Sequence, residues 1–94
     1  MRITVRYFTT LREVTGKREE KIDLSEGSVL EDALRLMAGK YGKKFERYVS
    51  SGRERKGLPL LFLINGQNAA DLSGFKAKLQ EGYTLTIVPP VAGG

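Results

Sequence analysis

Apolar and polar residues alternate strictly at the start of the chain. Met1, Ile3, Val5 and Tyr7 share one side, and Arg2, Thr4 and Arg6 share the other. A period of two predicts a half-buried strand. Phe8 falls on the polar side of that pattern. Thr9 to Thr15 breaks the alternation and predicts a turn or short helical stretch, closed by Gly16. From Arg18 to Leu24 the alternation returns, with Glu20, Ile22 and Leu24 on one face. Its charges suit an edge strand, the second arm of a hairpin.

The period then changes. Leu30, Ala33, Leu34, Met37, Ala38 and Tyr41 recur at helical spacing, and Gly42 supplies a stop. This predicts one main amphipathic helix, opened by Ser28 through a capping box with Glu31. The stripe is core packing and holds no ligand site. Lys40 to Lys56 follows as a basic run, read as a solvated, partly mobile segment. Tyr41, Phe45 and Tyr48 within it also suit a short helix against the core. Gly57-Leu58-Pro59 punctuates, Leu60 to Ile64 predicts a buried strand, and Asn65-Gly66 a tight turn. A short helical turn is expected at Phe75 to Leu79. Tyr83 to Val88 alternates again with Tyr83, Leu85 and Ile87 inward, and Pro89-Pro90 ends the strand.

Hairpin, helix, strand, strand is an α+β order. One helix can cover one face of a mixed sheet of four to five strands, with a crossover placing a late strand parallel to the first. That is a ubiquitin-like β-grasp. Residues 1–88 form the domain and 89–94 an extended tail.

Composition narrows the chemistry. The chain has 94 residues with no Cys and no His. Thiol nucleophiles, imidazole bases, disulfides and Cys or His metal sites are therefore excluded. No metal site is expected, and a self-contained enzyme is the weaker reading. The longest apolar run, Leu60 to Ile64, is strand-sized, so no membrane association is expected, and the cytoplasm is the expected location. The net charge of +5 lies wholly in residues 1–56, which hold 14 basic and 9 acidic residues. Such a cluster can attract nucleic acid or an acidic protein. Read as a solvated face, it makes nucleic acid an unlikely partner.

The ending Pro89-Pro90-Val91-Ala92-Gly93-Gly94 carries the functional signal. Two prolines stiffen the exit from the sheet, and two glycines stand at the carboxylate. Extended, the last six residues reach up to about 20 Å. Lacking side chains, the glycines can enter a narrow catalytic channel in another protein, where the carboxylate is open to attack.

With these pieces in order, the sequence resembles the MoaD/ThiS family of ubiquitin-like sulfur carriers, and within it the small subunits of molybdopterin synthase. The matching residues are Ile3 to Phe8, Leu11-Arg12-Glu13 with Gly16, the helix from Ser28, Leu63 to Gly66, Leu79 to Gly82, and Val88 to Gly94. Tyr83 stands where the family usually has Asp after Gly82, and Lys40 to Gly57 is longer and more basic than in compact members. The resemblance implies a non-catalytic carrier subunit of a transferase complex. It implies that a ubiquitin-activating-like enzyme uses MgATP to adenylate the Gly94 carboxylate. A sulfur donor then makes the thiocarboxylate, and the molybdopterin synthase large subunit spends that sulfur on the molybdopterin dithiolene. No cofactor is held tightly by the chain itself. Gly93 is the channel-passage residue, and Phe8, Arg12, Val88, Pro89, Pro90 and Val91 are the expected partner-binding residues. Sulfur delivery to tRNA, capture of the adenylate by a lysine as a protein modifier, and a basic nucleic-acid-binding module remain as alternatives.

Overall fold

The structure, a computed structural model, describes residues 1–54 and 60–89, apart from the side chains of 50–54. Five strands form one mixed sheet: β1 (Arg2–Tyr7), β2 (Glu19–Asp23), β3 (Leu61–Ile64), β4 (Gln67–Asn68) and β5 (Thr84–Val88). Their order across the sheet is β2-β1-β5-β3-β4. β1 and β2 form the expected antiparallel hairpin, with Ile3 opposite Ile22. β5 lies parallel to β1, Tyr7 beside Ile87, and antiparallel to β3, Leu61 beside Val88. The late strand therefore crosses to the centre of the sheet. This is the β-grasp arrangement.

Alternation decides what is buried. Ile3, Val5, Tyr7, Leu85 and Ile87 point to the covered face and are almost fully enclosed. Over them lies α2 (Leu30–Tyr41), which contributes Leu30, Ala33, Leu34 and Met37 to the core. A short helix, α1 (Thr10–Thr15), ends at Gly16 and also buries Leu11. Among the described residues no helix is long and apolar enough to cross a membrane.

Three elements differ from expectation. The main helix starts at Leu30, two residues later than Ser28, and its cap lies elsewhere. The Val29 N–H donates to the Asp32 carboxylate at 2.8 Å, whereas the Ser28 C=O accepts from the Leu79 N–H at 3.0 Å. Sheet-like bridging between Val29 and Lys78 holds this entry extended, so Ser28 does not cap. Second, the described part of the basic run forms a helix, α3 (Lys43–Glu54), longer than the short helix its aromatic spacing suits, with Lys43, Lys44 and Arg47 exposed. Phe45 and Val49 are buried by it, and the Tyr41 ring stacks on Phe45 at 6.1 Å. A single main helix is thus two, parted at Gly42, whose φ of 85° favours glycine. Gly57-Leu58-Pro59, Arg55 and Lys56 lie outside the described residues. Third, the helical turns after β4 fall at Ala69–Leu72 and Gly74–Lys76, earlier than the Phe75 to Leu79 stretch. The Asn65-Gly66 turn is as expected, with φ of 51° and 82°.

Candidate functional site

Phe8 follows the last residue of β1, and Val88 ends β5. The Tyr7–Ile87 register sets these next two residues side by side at the same end of the sheet. Leu61 of β3 lies directly opposite Val88 on its other flank. Tyr7, Ile87 and Phe62 face the helices, so Val88 and Leu61 face the uncovered side. Phe8 and Val88 are half-buried, and Leu61 is exposed. Behind them the open face carries Thr4, Arg6, Thr84 and Thr86, with Leu63 half-buried beside Thr86.

Local backbone geometry presents Phe8. Its C=O accepts from the Leu11 N–H at 3.1 Å, closing a turn in which Thr9 holds φ 44° and ψ −114°. The Arg12 guanidinium carbon sits 5.1 Å from the Phe8 ring centre, and that of Arg6 5.7 Å. Arg12 is also tethered, its Nε donating to the Tyr7 C=O at 3.1 Å. The arrangement is an apolar row beside two cations, next to Pro89, where the described chain ends. It suits a protein partner with apolar residues and carboxylates.

Of the expected site residues, Phe8, Arg12, Val88 and Pro89 come together here. Pro90, Val91, Gly93 and Gly94 lie outside the described residues. Sequence reasoning missed Leu61. Leu60 to Ile64 is apolar at every position, which reads as buried on both faces. The described helices cover one face of the sheet only, and Leu61, on the other, is exposed.

Reasoning from sequence also missed a second cluster. The Glu20 carboxylate, its side chain 6% exposed, lies on the helix side of β2. It accepts from the Tyr7 hydroxyl at 2.9 Å and from the Tyr41 hydroxyl, while Lys17 Nζ sits at 2.8 Å and Lys40 Nζ at 3.4 Å. Burial opposes the charge, but these donors outweigh it and hold the Glu20 carboxyl down at about 2. Burial, then Glu20, pushes the Tyr7 phenol far above its ordinary range. The cluster ties β1, β2 and α2 together. Among the described residues no three acidic side chains are placed to hold a metal ion.

The profile of the ThiS family matches residues 5–94. The chain belongs to the ThiS family. Small archaeal modifier protein 3 of Haloferax volcanii is 29% identical over 94 residues, the full length of both chains. The solution structure of small archaeal modifier protein 1 from Methanosarcina acetivorans is 29% identical, with a TM-score of 0.79 over 99% of this chain and 96% of that one. The Amycolatopsis orientalis BexX/CysO complex contains a chain with a TM-score of 0.72 at 24% identity, covering 98% and 99%, a likeness of fold. This ThiS-family chain is therefore a ubiquitin-like protein of the sulfur-carrier type.

Proposed function

We propose that this ThiS-family protein is a small ubiquitin-like modifier, non-catalytic by itself, whose Gly94 carboxylate is activated and transferred to a lysine amine of another protein. The observation that carries the reading is the Pro-Pro-x-x-Gly-Gly ending on a β-grasp sheet whose central strand, β5, leads into it. Full-length similarity to a small archaeal modifier protein supports a protein acceptor over a pterin.

A carboxylate is a poor acyl donor because oxide would have to leave. In a ubiquitin-activating-like enzyme, a Gly94 oxygen attacks the α-phosphorus of MgATP and pyrophosphate departs. The resulting acyl adenylate has AMP as its leaving group. A lysine amine then attacks the acyl carbon, the bond to AMP breaks, and the amine gives up a proton to form an isopeptide. The chain's own part is to dock through Phe8, Arg12, Val88 and Pro89 and to pass Pro90, Val91 and Gly93 into the enzyme's channel.

A second reading uses the same adenylate, and the tail and family favour it. A persulfide's outer sulfur displaces AMP to give an acyl disulfide, and a second thiol attacks the donor-side sulfur to form a new disulfide. The thiocarboxylate so released at Gly94 donates sulfur to the molybdopterin synthase large subunit or to tRNA thiolation. Incubation with the cognate adenylating enzyme and MgATP, with cell protein or a sulfur donor, distinguishes them by mass spectrometry. A branched peptide in which residues 79–94, the segment after the last tryptic site at Lys78, hang from a target lysine supports the modifier. Oxygen-to-sulfur exchange at Gly94 without lysine conjugates shifts the assignment to the sulfur carrier. An unmodified Gly94 overturns both.

A further inference from the structure

We infer that the outer edge of β2, with the adjoining face of α2, is a second docking site that captures an extended segment of a partner protein as an added strand. This partner strand carries an apolar residue and an acidic residue two positions apart. The inference concerns the edge of the sheet away from the tail and does not depend on the fate of Gly94.

The backbone phase is set by two hydrogen bonds. Leu24 N–H donates to Met1 C=O, and Tyr7 N–H donates to Arg18 C=O, each at 2.8 Å. In an antiparallel pair bonded residues alternate. Residues 18, 20, 22 and 24 therefore bond inward to β1, and Glu19, Lys21 and Asp23 turn their N–H and C=O groups outward. Among the described residues β2 is the terminal strand of the sheet and nothing pairs with its outer side, so these groups form an open ladder.

α2 supplies the wall beside that edge. Asp32, Leu36 and Lys40 recur every four residues and form one stripe along the helix. Lys40 reaches Glu20 at one end of β2. At the other, Asp32 and Leu36 share an open cleft with Asp23 and Leu24. Leu36 is 43% exposed, the most exposed large apolar residue described.

Charge and parity select the occupant. Opposite Ile22, an added strand places a side chain over the apolar gap towards Leu36. Opposite Glu20, two residues along, it meets the ammonium groups of Lys17 and Lys40, both about half exposed and sharing one buried carboxylate. That end carries net positive charge and calls for a carboxylate. A second copy fits poorly, since full overlap of two β2 strands sets Lys21 against Lys21 and Glu19 against Asp23.

The probes are two synthetic peptides, Thr-Val-Thr-Val-Thr-Asp-Thr and its reversed sequence, which cover both strand directions, and versions with Lys in place of Asp. Titrated into the full-length protein labelled for NMR, one Asp peptide should shift the Glu19, Lys21 and Asp23 amides saturably and slow their hydrogen exchange. The Lys version should bind about tenfold more weakly. Lys21→Pro removes one outward N–H without touching the ladder to β1 and should abolish binding. Leu36→Glu, at an exposed helical position, should do the same and stands in if the proline variant unfolds. Shifts confined to Phe8, Thr86 and Val88, no saturable shift, insensitivity to a folded variant, or self-association through these amides would each overturn the inference.

Discussion

Thr9 occupies φ 44° and ψ −114°, the first central position of a type II′ turn, where glycine is the usual residue. A β-branched side chain there strains the backbone, and that strain sits behind Phe8. Thr9→Gly should raise stability by about 1 kcal/mol, the relief exceeding the added freedom of the unfolded chain. Urea denaturation checks this, with the midpoint rising at constant slope. Glu20 shows the reverse, a charge stabilised by its surroundings. Its folded value of about 2 lies below the ordinary 4.5, so its contribution is present above about pH 4.5 and is lost as pH falls through 2. After discounting for the half-exposed lysines, Glu20→Gln should cost about 2 kcal/mol near neutral pH. The difference between variant and parent should shrink steadily below about pH 4, as followed by thermal unfolding across pH. Constant destabilisation over that range would mean packing, not charge, sets Glu20's contribution.

At the level of elements, legibility followed how much of a pattern was local. β1, β2 and β5 were readable because one face is apolar and the other polar. α2 was readable from its stripe, but its first residue was not, because Ser28 is held by Leu79, far along the chain. In α3 the helical spacing of Phe45, Tyr48 and Val49 was present, yet the surrounding charges dominated the reading. Glu20 could be placed on the inward face by parity. Its partners Tyr7 and Tyr41, 13 and 21 residues away, could not. The helix α3 carries Lys43, Lys44 and Arg47 on its exposed side, which invites a test against RNA and DNA. Binding should stay within about 10⁻⁴ to 10⁻⁶ M at physiological salt and fall steeply as salt rises, the mark of phosphate attraction alone. Sub-micromolar binding would make α3 a nucleic-acid surface. On the sheet, Phe8→Ala should weaken the complex with the adenylating enzyme by about 1–3 kcal/mol while leaving folding nearly unchanged. Paired unfolding and binding titrations separate that outcome from a core role for Phe8.

For the whole molecule, the position of β5 matters most. It is the last strand in sequence but the middle strand in space, held by β1 on one side and β3 on the other. Leu85 and Ile87 anchor it in the core, Val88 ends it with Leu61 opposite, and Pro89 follows at that end of the sheet. A partner gripping that apolar row is thereby set at a fixed starting point for the five residues that follow. On the proposed function, recognition and chemistry would divide accordingly, with the sheet face supplying affinity and the glycines supplying access. Gly93→Val separates the two. No described core residue lies beyond Ile87, so global stability should change by less than about 0.5 kcal/mol, a typical surface effect. Affinity for the adenylating enzyme should fall only modestly, because the Phe8, Val88 and Leu61 row is untouched. Adenylate formation should be lost, because a branched side chain next to the reactive carboxylate fills the space that glycine leaves open. Pyrophosphate exchange measures the adenylation step, and a binding titration on the same variant measures docking. Normal exchange by Gly93→Val would show that the channel tolerates bulk and that the glycines serve something other than entry; lost binding with lost exchange would place the tail, not the sheet face, at the centre of recognition.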